Sequence, residues 1–393
     1  MSALARSRTA AASLSALAAV GGTAALMAPA HATPGGPKAV ERVAGVDRYG
    51  TAELASKSLW PAWNDTGGTA KADAVVIAKG DDFPDALSGI PLASAKRGPL
   101  LVTPGTGLDP GVLAEITRVL QPGAGKTVYV LGGVKALRPT VDAALTAAGY
   151  NVRRIAGSDR YDTSVQVAHA LGDPQRVVVA TGNLFPDALA AGPLASMGGI
   201  GKPGAILLSN DTKLSPAVAA YIAPIIGGFP TNGTDLNTGQ SVPFDNNHFV
   251  IAVGGKALTA VSTAAASLPE RFNNFETHTN YFNAAGTDRY QTACFAADLW
   301  SNIDGATSHT ALDPSAVGVA TAFNFPDALG GGAAIAQVPG PLLLTDPNGL
   351  APCASDYIRA AAAAHTLNWV EIYGGTSVLP VGIENQLHQI AGF

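Results

Sequence analysis

The sequence contains one pentapeptide, Phe-Pro-Asp-Ala-Leu, three times, beginning at Phe83, Phe185 and Phe325. Each copy follows a short apolar run typical of a buried strand and precedes a run of small residues typical of a helix. Proline is favoured in the first turn of a helix, and an aspartate there meets the positive end of the helix dipole. The pentapeptide is therefore predicted to be a strand-to-helix turn in a chain of three internal repeats.

Two further motifs recur in the same order around each pentapeptide. An Ala-Gly-x-Asp-Arg-Tyr-x-Thr motif precedes it, with aspartates at Asp47, Asp159 and Asp288, and a Gly-Gly pair follows a later apolar run. The pentapeptide aspartate and the Gly-Gly pair are 47 residues apart in the first and third copies and 67 in the second. The surplus falls in residues 227–248, which we interpret as a surface loop, either a tolerated insertion or a binding loop.

The strand-like runs are continuously apolar rather than alternating, which indicates sheets covered on both faces. They alternate with helical patterns, so the sequence predicts an α/β fold with small parallel sheets flanked by helices and joined by right-handed crossovers. We divide the chain into repeat 1 (42–153), repeat 2 (154–283) and repeat 3 (284–393). A short strand at residues 152–155 is expected to close the first unit.

Residues 1–32 have the features of a secretory signal peptide: two arginines, an apolar run of small residues, and Ala-Pro-Ala-His-Ala at the end. Residues 33–41 follow as a linker whose first half is rich in proline and glycine. The alternative, a transmembrane anchor, is disfavoured because the apolar run is rich in alanine and is interrupted by Gly21 and Gly22. We predict a secreted chain with no membrane segment after signal cleavage.

The net charge of the chain narrows the classes of partner. Without residues 1–32 the chain has 22 basic and 29 acidic residues, a net charge of −7. This balance argues against nucleic acid or another polyanion as a partner bound through net charge, although it leaves room for a local basic groove.

The two cysteines, Cys294 and Cys353, both lie in the last third of the chain. An extracellular setting permits a disulfide between them, and the sequence alone leaves the bridge open.

Together, the three motifs resemble the cell wall-binding repeat 2 family of Gram-positive bacteria, from about Arg42 to the C-terminus. The resemblance implies Rossmann-like units arranged about a pseudo-threefold axis. It also implies non-covalent attachment to an anionic wall polymer, either teichoic-acid-like or a secondary polysaccharide. Many members carry a separate effector domain. Three repeats and a signal peptide account for the length of this chain, so the expectation is a non-enzymatic wall-binding protein.

Two other functions remain open at this point. The chain could be a secreted wall-associated hydrolase with a cleft between repeats, which would require unique polar residues in one copy. It could also be a surface module for protein–protein interaction with a protein partner, which a large exposed apolar patch would favour.

The arginines of the repeated motif, Arg48, Arg160 and Arg289, are the best candidates for polymer binding. The planar guanidinium binds phosphate or carboxylate oxygens through two hydrogen bonds at once. In the alternative interpretation the motif is structural. Its aspartate caps a helix, its tyrosine packs, and its arginine pairs internally, for example with a pentapeptide aspartate of the same or a neighbouring repeat.

The pentapeptide aspartates, Asp85, Asp187 and Asp327, are interpreted as structural rather than catalytic. An acid/base pair needs two carboxyl groups in unlike environments, whereas three repeated positions are equivalent. We expect each to stabilise a helix N-terminus or to form a salt bridge. No catalytic residue is predicted.

The Gly-Gly pairs follow a strand and precede a helix, a position where anions often bind. Lys135 and Lys256 lie close behind two of them and would assist, unless the pairs simply form tight turns. Residues 199–204 match the letters of a dinucleotide-binding glycine motif, but they precede a strand and contain proline. We therefore predict no cofactor, and no metal site is evident in the sequence.

Overall fold

The computed structural model describes residues 38–67, 70–174, 176–197, 204–227, 249–267, 281–302, 314–338 and 340–393. The predicted signal peptide and most of the predicted linker lie outside these residues. So does the predicted insertion at residues 227–248, except for Gly227, the last residue of a helix.

Strands and helices alternate along the described chain. The strands are β1 (Ala39–Val43), β2 (Ala74–Lys79), β3 (Leu100–Thr103), β4 (Thr127–Leu131), β5 (Asn151–Ile155), β6 (Arg176–Thr181), β7 (Ala205–Ser209), β8 (Phe249–Val253), β9 (Tyr281–Ala284), β10 (Ala316–Thr321), β11 (Leu342–Thr345) and β12 (Trp369–Tyr373). The helices are α1 (Arg48–Leu59), α2 (Pro84–Ala95), α3 (Pro110–Val119), α4 (Pro139–Ala147), α5 (Arg160–Ala170), α6 (Pro186–Ser196), α7 (Pro216–Gly227), α8 (Gly255–Ala266), α9 (Arg289–Asn302), α10 (Pro326–Ile335), α11 (Pro352–Ala363) and α12 (Val381–Ala391).

The strands form three four-stranded sheets with the orders β3-β2-β4-β5, β7-β6-β8-β9 and β1-β12-β10-β11. Every pairing within them is parallel. The predicted α/β fold of three repeated units with small parallel sheets is confirmed. We call the units built on these sheets unit 1, unit 2 and unit 3, in that order.

Each sheet has two edge strands. The edge strand that pairs with the strand before the Gly-Gly pair, which is β5, β9 or β1, is called the outermost strand below, and it precedes the Asp-Arg-Tyr motif of the next unit. β5 and β9 close units 1 and 2, so the predicted repeat boundaries at 153/154 and 283/284 fall inside these two strands. A strand belongs to the sheet with which its backbone pairs, whatever its position in the sequence. The short strand expected near residues 152–155 does close unit 1, as β5.

The third sheet takes its outermost strand from the beginning of the described chain. β1 pairs with β12 in parallel from Ala39 opposite Trp369 to Val43 opposite Tyr373. The assignment of residues 39–41 to a linker is therefore wrong, because their backbone pairs with unit 3. The N-terminal strand thus closes the three units into a ring.

Both faces are buried along nearly all of the two inner strands of each sheet and along β3, β7 and β11, which explains their continuous apolar sequences. In contrast, β1 and β5 are half-buried or exposed at most positions. On β10, Val317 and Val319 contribute to an outer core beneath α11 and α12, whereas Ala316 and Ala320 contribute to a central core shared by all three units. Unit 2 has its own outer core beneath α7 and α8.

The helices that follow the pentapeptides, α2, α6 and α10, pack against one another at the centre of the ring. At one equivalent position they carry Ile90, Gly192 and Gly332. A Cβ added to Gly192 would lie 2.7 Å from Ile90 Cδ1, and one added to Gly332 would lie 3.4 Å from the same atom. One isoleucine therefore fills space that two glycines leave, so packing at the axis is not threefold symmetric.

A second helix position faces the sheet of its own unit, and in units 1 and 3 a glycine there makes room for a large side chain of β4 or β12. Gly331 faces the large Tyr373, whose Cγ would lie 2.2 Å from a Cβ on this glycine. The equivalent Gly89 faces Leu131, at 2.5 Å from its Cδ1. The small residues of these helices therefore permit close packing on sheets of different bulk.

Two further features complete the fold. Cys294 and Cys353 form a disulfide that connects α9 to α11, with Cα atoms 6.2 Å apart, so the question left open by the sequence is answered. Within the described residues, no helix has the length and apolar character needed to cross a bilayer.

Candidate functional site

The three pentapeptides meet on one surface, at the carboxyl ends of β2, β6 and β10. The ring centroids of Phe83, Phe185 and Phe325 form a closed triangle with sides of 5.4, 5.7 and 5.9 Å. The pseudo-threefold axis passes through this triangle. We call this surface the central face and define it by residues 80–83, 182–185 and 322–325 together with Arg48, Arg160 and Arg289.

The Asp-Arg-Tyr motif builds the start of a helix, as its structural interpretation predicts. The Asp47 side chain accepts hydrogen bonds from the backbone N–H groups of Tyr49 and Gly50 at 3.0 and 2.9 Å. Asp159 and Asp288 cap α5 and α9 by accepting from the N–H three residues later, both at 2.8 Å. Each cap stabilises the helix that carries the arginine.

The glycine and threonine of the same motif close a tight turn. The Gly45 N–H donates to Thr51 Oγ1 at 3.0 Å, and the bond recurs in the other two units at 3.0 and 3.1 Å. A Cβ on Gly45 would lie 2.2 Å from the Gly50 carbonyl carbon, so the motif requires a glycine here. The turn brings the arginine to the end of the neighbouring strand.

Each motif arginine is hydrogen-bonded within its own unit. Nη1 of Arg48, Arg160 and Arg289 donates to the carbonyl oxygen of the residue that follows β2, β6 or β10, at 2.7, 2.8 and 2.7 Å. One of the five guanidinium donors is thus used internally in each case. Arg48 and Arg160 are half-buried, whereas Arg289 is exposed.

The guanidinium groups also lie over aromatic rings. Arg48 is 5.9 Å from the ring centroid of Phe325 in unit 3, and Arg160 is 5.9 Å from that of Phe83 in unit 1. Arg289 instead lies 5.7 Å from Phe323 of its own unit. Such contacts hold the cations against the central aromatic cluster.

The pentapeptide aspartates pack against the Gly-Gly turns of their own units. The first glycine of each pair, Gly132, Gly254 or Gly374, has a positive φ of 95, 86 or 118°. A Cβ on Gly132 would lie 2.2 Å from Asp85 Oδ2, and one on Gly254 would lie 2.0 Å from Asp187 Oδ2. The anion beside these turns is therefore the protein's own carboxylate.

The two lysines near the Gly-Gly pairs are placed differently. Lys135 is exposed, and Lys256 forms an ion pair with Asp211 at 2.7 Å. Only in unit 2 does a helix begin directly at the pair, with Gly255 as the first residue of α8. Anion binding at these turns stays a prediction.

Burial raises the pKa values of the pentapeptide aspartates. For Asp85 the pKa rises to about 6, mainly by desolvation, with Asp82 adding to the shift and Arg160 and Lys79 opposing it. Desolvation also raises the pKa of Asp187 to about 6, against the charges of Arg289 and Lys256.

The third aspartate completes a cyclic pattern. Desolvation raises the pKa of Asp327, opposed by a hydrogen bond from Thr51 and by the charge of Arg48. In all three cases the opposing arginine belongs to the next unit around the ring. The three carboxyl groups have similar surroundings, so they do not form the unlike pair that acid/base catalysis uses.

The three strand-end loops of the central face differ in chemistry. At the two positions before the pentapeptide phenylalanine, unit 1 has Asp81 and Asp82, unit 2 has Asn183 and Leu184, and unit 3 has Phe323 and Asn324. Leu184 is 47% exposed and Phe323 is 59% exposed. The sequence shows these differences, but only the fold places the three loops beside one another.

One buried carboxyl group lies outside the central face. Glu371 on β12 is buried and accepts a hydrogen bond from the Tyr373 hydroxyl at 2.7 Å. Desolvation raises its pKa to about 8, and Glu41 adds to the shift, while hydrogen bonds from Tyr373 and Ser58 oppose it. Sequence reasoning missed this group; the signal was one carboxylate within an otherwise apolar strand.

We expect Glu371→Gln to stabilise the protein at high pH only. The contribution of Glu371 to wild-type stability falls as pH rises from the ordinary carboxyl pKa of 4.5 to about 8 and then levels off, because the folded state retains a proton on Glu371 that the unfolded state loses. Urea unfolding should show a gain of about 2–4 kcal/mol at pH 9 and little change near pH 4.5.

Asp356→Asn is the matched control, since Asp356 is an exposed carboxylate on α11 of the same unit. It should change stability by less than about 0.5 kcal/mol at either pH. Equal effects of Glu371→Gln at the two pH values would contradict the predicted protonation of Glu371.

The described residues contain no group of three or more His, Cys, Asp or Glu side chains placed to hold a metal ion.

The sequence matches the family described as Cell wall binding domain 2 (CWB2) over residues 42–142, 154–264 and 283–384. The chain belongs to this family. Its three units are thus cell wall-binding repeats, and the resemblance inferred from the motifs is confirmed.

Two curated relatives come from Bacillus subtilis (strain 168). The chain is 28% identical over 348 residues to N-acetylmuramoyl-L-alanine amidase LytC, a match covering 88% of this chain and 58% of LytC. It is 34% identical over 175 residues to Amidase enhancer, covering 44% of this chain and 22% of that protein. The chain thus spans less than two thirds of either relative's length.

Two solved structures share the fold. Cwp8 from Clostridium difficile aligns with a TM-score of 0.69 and 20% identity, covering 91% of this chain and 52% of Cwp8. Cwp6 from the same organism aligns with a TM-score of 0.65 and 21% identity, covering 91% of this chain and 48% of Cwp6. At these identities the alignments show the fold alone.

Proposed function

We propose that this family member is a secreted, non-enzymatic protein held in a Gram-positive cell wall by non-covalent binding of anionic wall polymers at the central face. One observation carries the proposal. All three motif arginines converge on a single surface, where they surround an aromatic cluster at the pseudo-threefold axis.

Local charge makes this surface suitable for an anion although the chain as a whole is acidic. Each arginine uses one N–H for a backbone carbonyl, which fixes its position and leaves other donors for an oxyanion. Protonation of Asp85 and Asp187, whose pKa values are raised to about 6, reduces the opposing negative charge in mildly acidic surroundings.

The carboxyl groups of the central face favour a role without catalysis. The repeated carboxylates have like environments, and each packs on a turn of its own unit. LytC is named as an amidase, but 42% of it lies outside the match, so we do not assign that activity to this chain.

Co-sedimentation with purified Gram-positive cell walls tests the proposal. The probe is the chain of residues 33–393, and the walls are used before and after acid extraction of their anionic polymers, across a salt series. We expect binding that is lost on extraction and weakened by salt, because exposed charge pairs are screened. A parallel turbidity assay should show no lysis of the walls.

Other results would overturn specific parts of the proposal. Binding that survives extraction would move the target to peptidoglycan, and clearing of the wall suspension would contradict the non-enzymatic role. Failure to sediment with any wall preparation would reject wall attachment through the central face.

A further inference from the structure

The three arginine positions of the central face differ in what surrounds them. Arg160 of unit 2 lies 4.0 Å from the carboxylate of Asp82 in unit 1. Leu184 occupies the position in unit 2 that corresponds to Asp82, so the pseudo-threefold relation puts an apolar residue in place of a carboxylate on the unit 2 side of Arg289. Among the described residues, neither Arg289 nor Arg48 lies within ion-pair distance of a carboxylate.

Exposure distinguishes Arg289 from both Arg48 and Arg160. Arg48 and Arg160 are half-buried against the rings of the central cluster. The exposed Arg289 lies 5.7 Å from the ring of Phe323, which is itself 59% exposed. The equivalent residues in the other units, Asp81 and Asn183, are polar and accept hydrogen bonds from Tyr49 and Tyr161. Phe323 thus adds an aromatic surface that only unit 3 presents.

An exposed ring beside an exposed guanidinium that forms no ion pair is suited to one class of ligand. A pyranose ring has an apolar face of C–H groups that is desolvated favourably against an aromatic ring. A phosphate or carboxylate on the same sugar would accept paired hydrogen bonds from the planar guanidinium. Leu184, 47% exposed, offers further apolar surface from unit 2.

We propose that Arg289 and Phe323, with Leu184 of unit 2, form a subsite for one anionic pyranose residue of a wall polymer. This inference rests on the proposed function and deepens it, because it assigns recognition of the sugar unit to unit 3 alone. The other two arginines then hold the central cluster together and provide a less specific positive field. The pseudo-threefold surface therefore binds the polymer asymmetrically.

Single substitutions separate this subsite from its pseudo-equivalents. Phe323→Asn introduces the residue that unit 2 carries at the equivalent position of the same turn. Arg289→Gln removes the charge and keeps a hydrogen-bond donor. Asn183→Ala and Arg160→Gln are the comparison variants at the pseudo-equivalent positions of unit 2. The control is Arg359→Gln, because Arg359 is an exposed arginine on α11 outside the central face. Thermal unfolding of every variant verifies that the fold is retained.

Affinity is measured by sedimentation with untreated walls and by titration with glucose 1-phosphate, glucuronic acid and glucose. We expect Phe323→Asn and Arg289→Gln each to weaken wall binding about tenfold, the unit 2 variants to weaken it about threefold, and Arg359→Gln to leave it unchanged. Glucose 1-phosphate or glucuronic acid should bind the wild type more tightly than glucose, and their order identifies the anionic group.

The outcomes distinguish the subsite from the broader proposal. If the wild type binds walls and both unit 3 variants bind equally well, the subsite is rejected while wall binding stands. Equal losses for the unit 2 and unit 3 variants would show a symmetric surface and also reject it. Absence of wall binding by the wild type would reject both.

Discussion

Removal of residues 38–46 is expected to destabilise the protein by about 5 kcal/mol or more, although these residues precede the first repeated helix. β1 contributes a five-residue parallel ladder to β12 and buries Val43. Arg42 donates to the Gly374 carbonyl oxygen at 2.8 Å and pairs with Glu384 at 2.9 Å. Several hydrogen bonds of about 1 kcal/mol each, together with the burial, give this magnitude.

Loss of β1 would also expose β12 as a sheet edge. β12 carries the buried Glu371 and Tyr373, so its exposure would hydrate a polar pair in unit 3 and offer an edge for aggregation. Urea unfolding and analytical ultracentrifugation measure the two effects. The control is the chain that begins at Lys38, which retains β1.

A circular permutation tests whether pairing, rather than chain order, is what matters. The permuted chain begins at Asp47 and carries residues 38–46 after Phe393, joined by a short Gly-Ser linker. Lys38 Nζ lies 5.5 Å from the Phe393 ring, so the linker need span little distance. The arrangement matches units 1 and 2, where the outermost strand follows the last helix. We expect it to recover most of the lost stability, whereas a deletion within about 1 kcal/mol of the control would contradict this account of β1.

The second large effect is expected at one of two adjacent glycines. Gly132 has φ +95°, and a Cβ there would lie 2.2 Å from Asp85 Oδ2 and 2.9 Å from Ala136 Cβ. Gly132→Ala should therefore cost about 3–5 kcal/mol, from a strained left-handed backbone and from overpacking. Gly133→Ala is the matched control, because a Cβ at Gly133 meets nothing within 4 Å.

A double substitution separates the two contributions to the Gly132 effect. Asp85→Ala in the Gly132→Ala background removes the carboxylate and leaves the positive φ. Denaturant unfolding should show partial recovery, with about 1–2 kcal/mol of the loss remaining as backbone strain. If Gly132→Ala and Gly133→Ala destabilise the protein equally, the proposed packing of Asp85 on the turn is wrong.

The sequence alone predicted the local structure because its motifs act over short distances. Asp47 caps α1 through N–H groups two and three residues away, and Gly45 and Thr51 close the adjoining turn. Proline in the first helical turn and continuous apolar strands are equally local signals. Their threefold recurrence was enough to predict three α/β units with parallel sheets.

The candidate site was predicted only in part. The three arginines were identified from their motif, and internal pairing was considered, but the sequence did not show which unit each would meet. The sequence assigns no role to Leu184 and Phe323, because they differ between repeats and match no motif. Their proximity follows from the meeting of three pentapeptides, not from the chemistry of any one segment.

Sequence repetition determined the kind of unit that forms and the turn chemistry within it, because both depend on neighbouring residues. Only the tertiary structure decided how the units join: β1 pairs with β12, and Ile90 packs beside Gly192 and Gly332. These contacts are unique rather than repeated, and they link residues far apart in the chain. They depend on complementary volumes and on an open sheet edge, which exist only after the units have packed around their common axis.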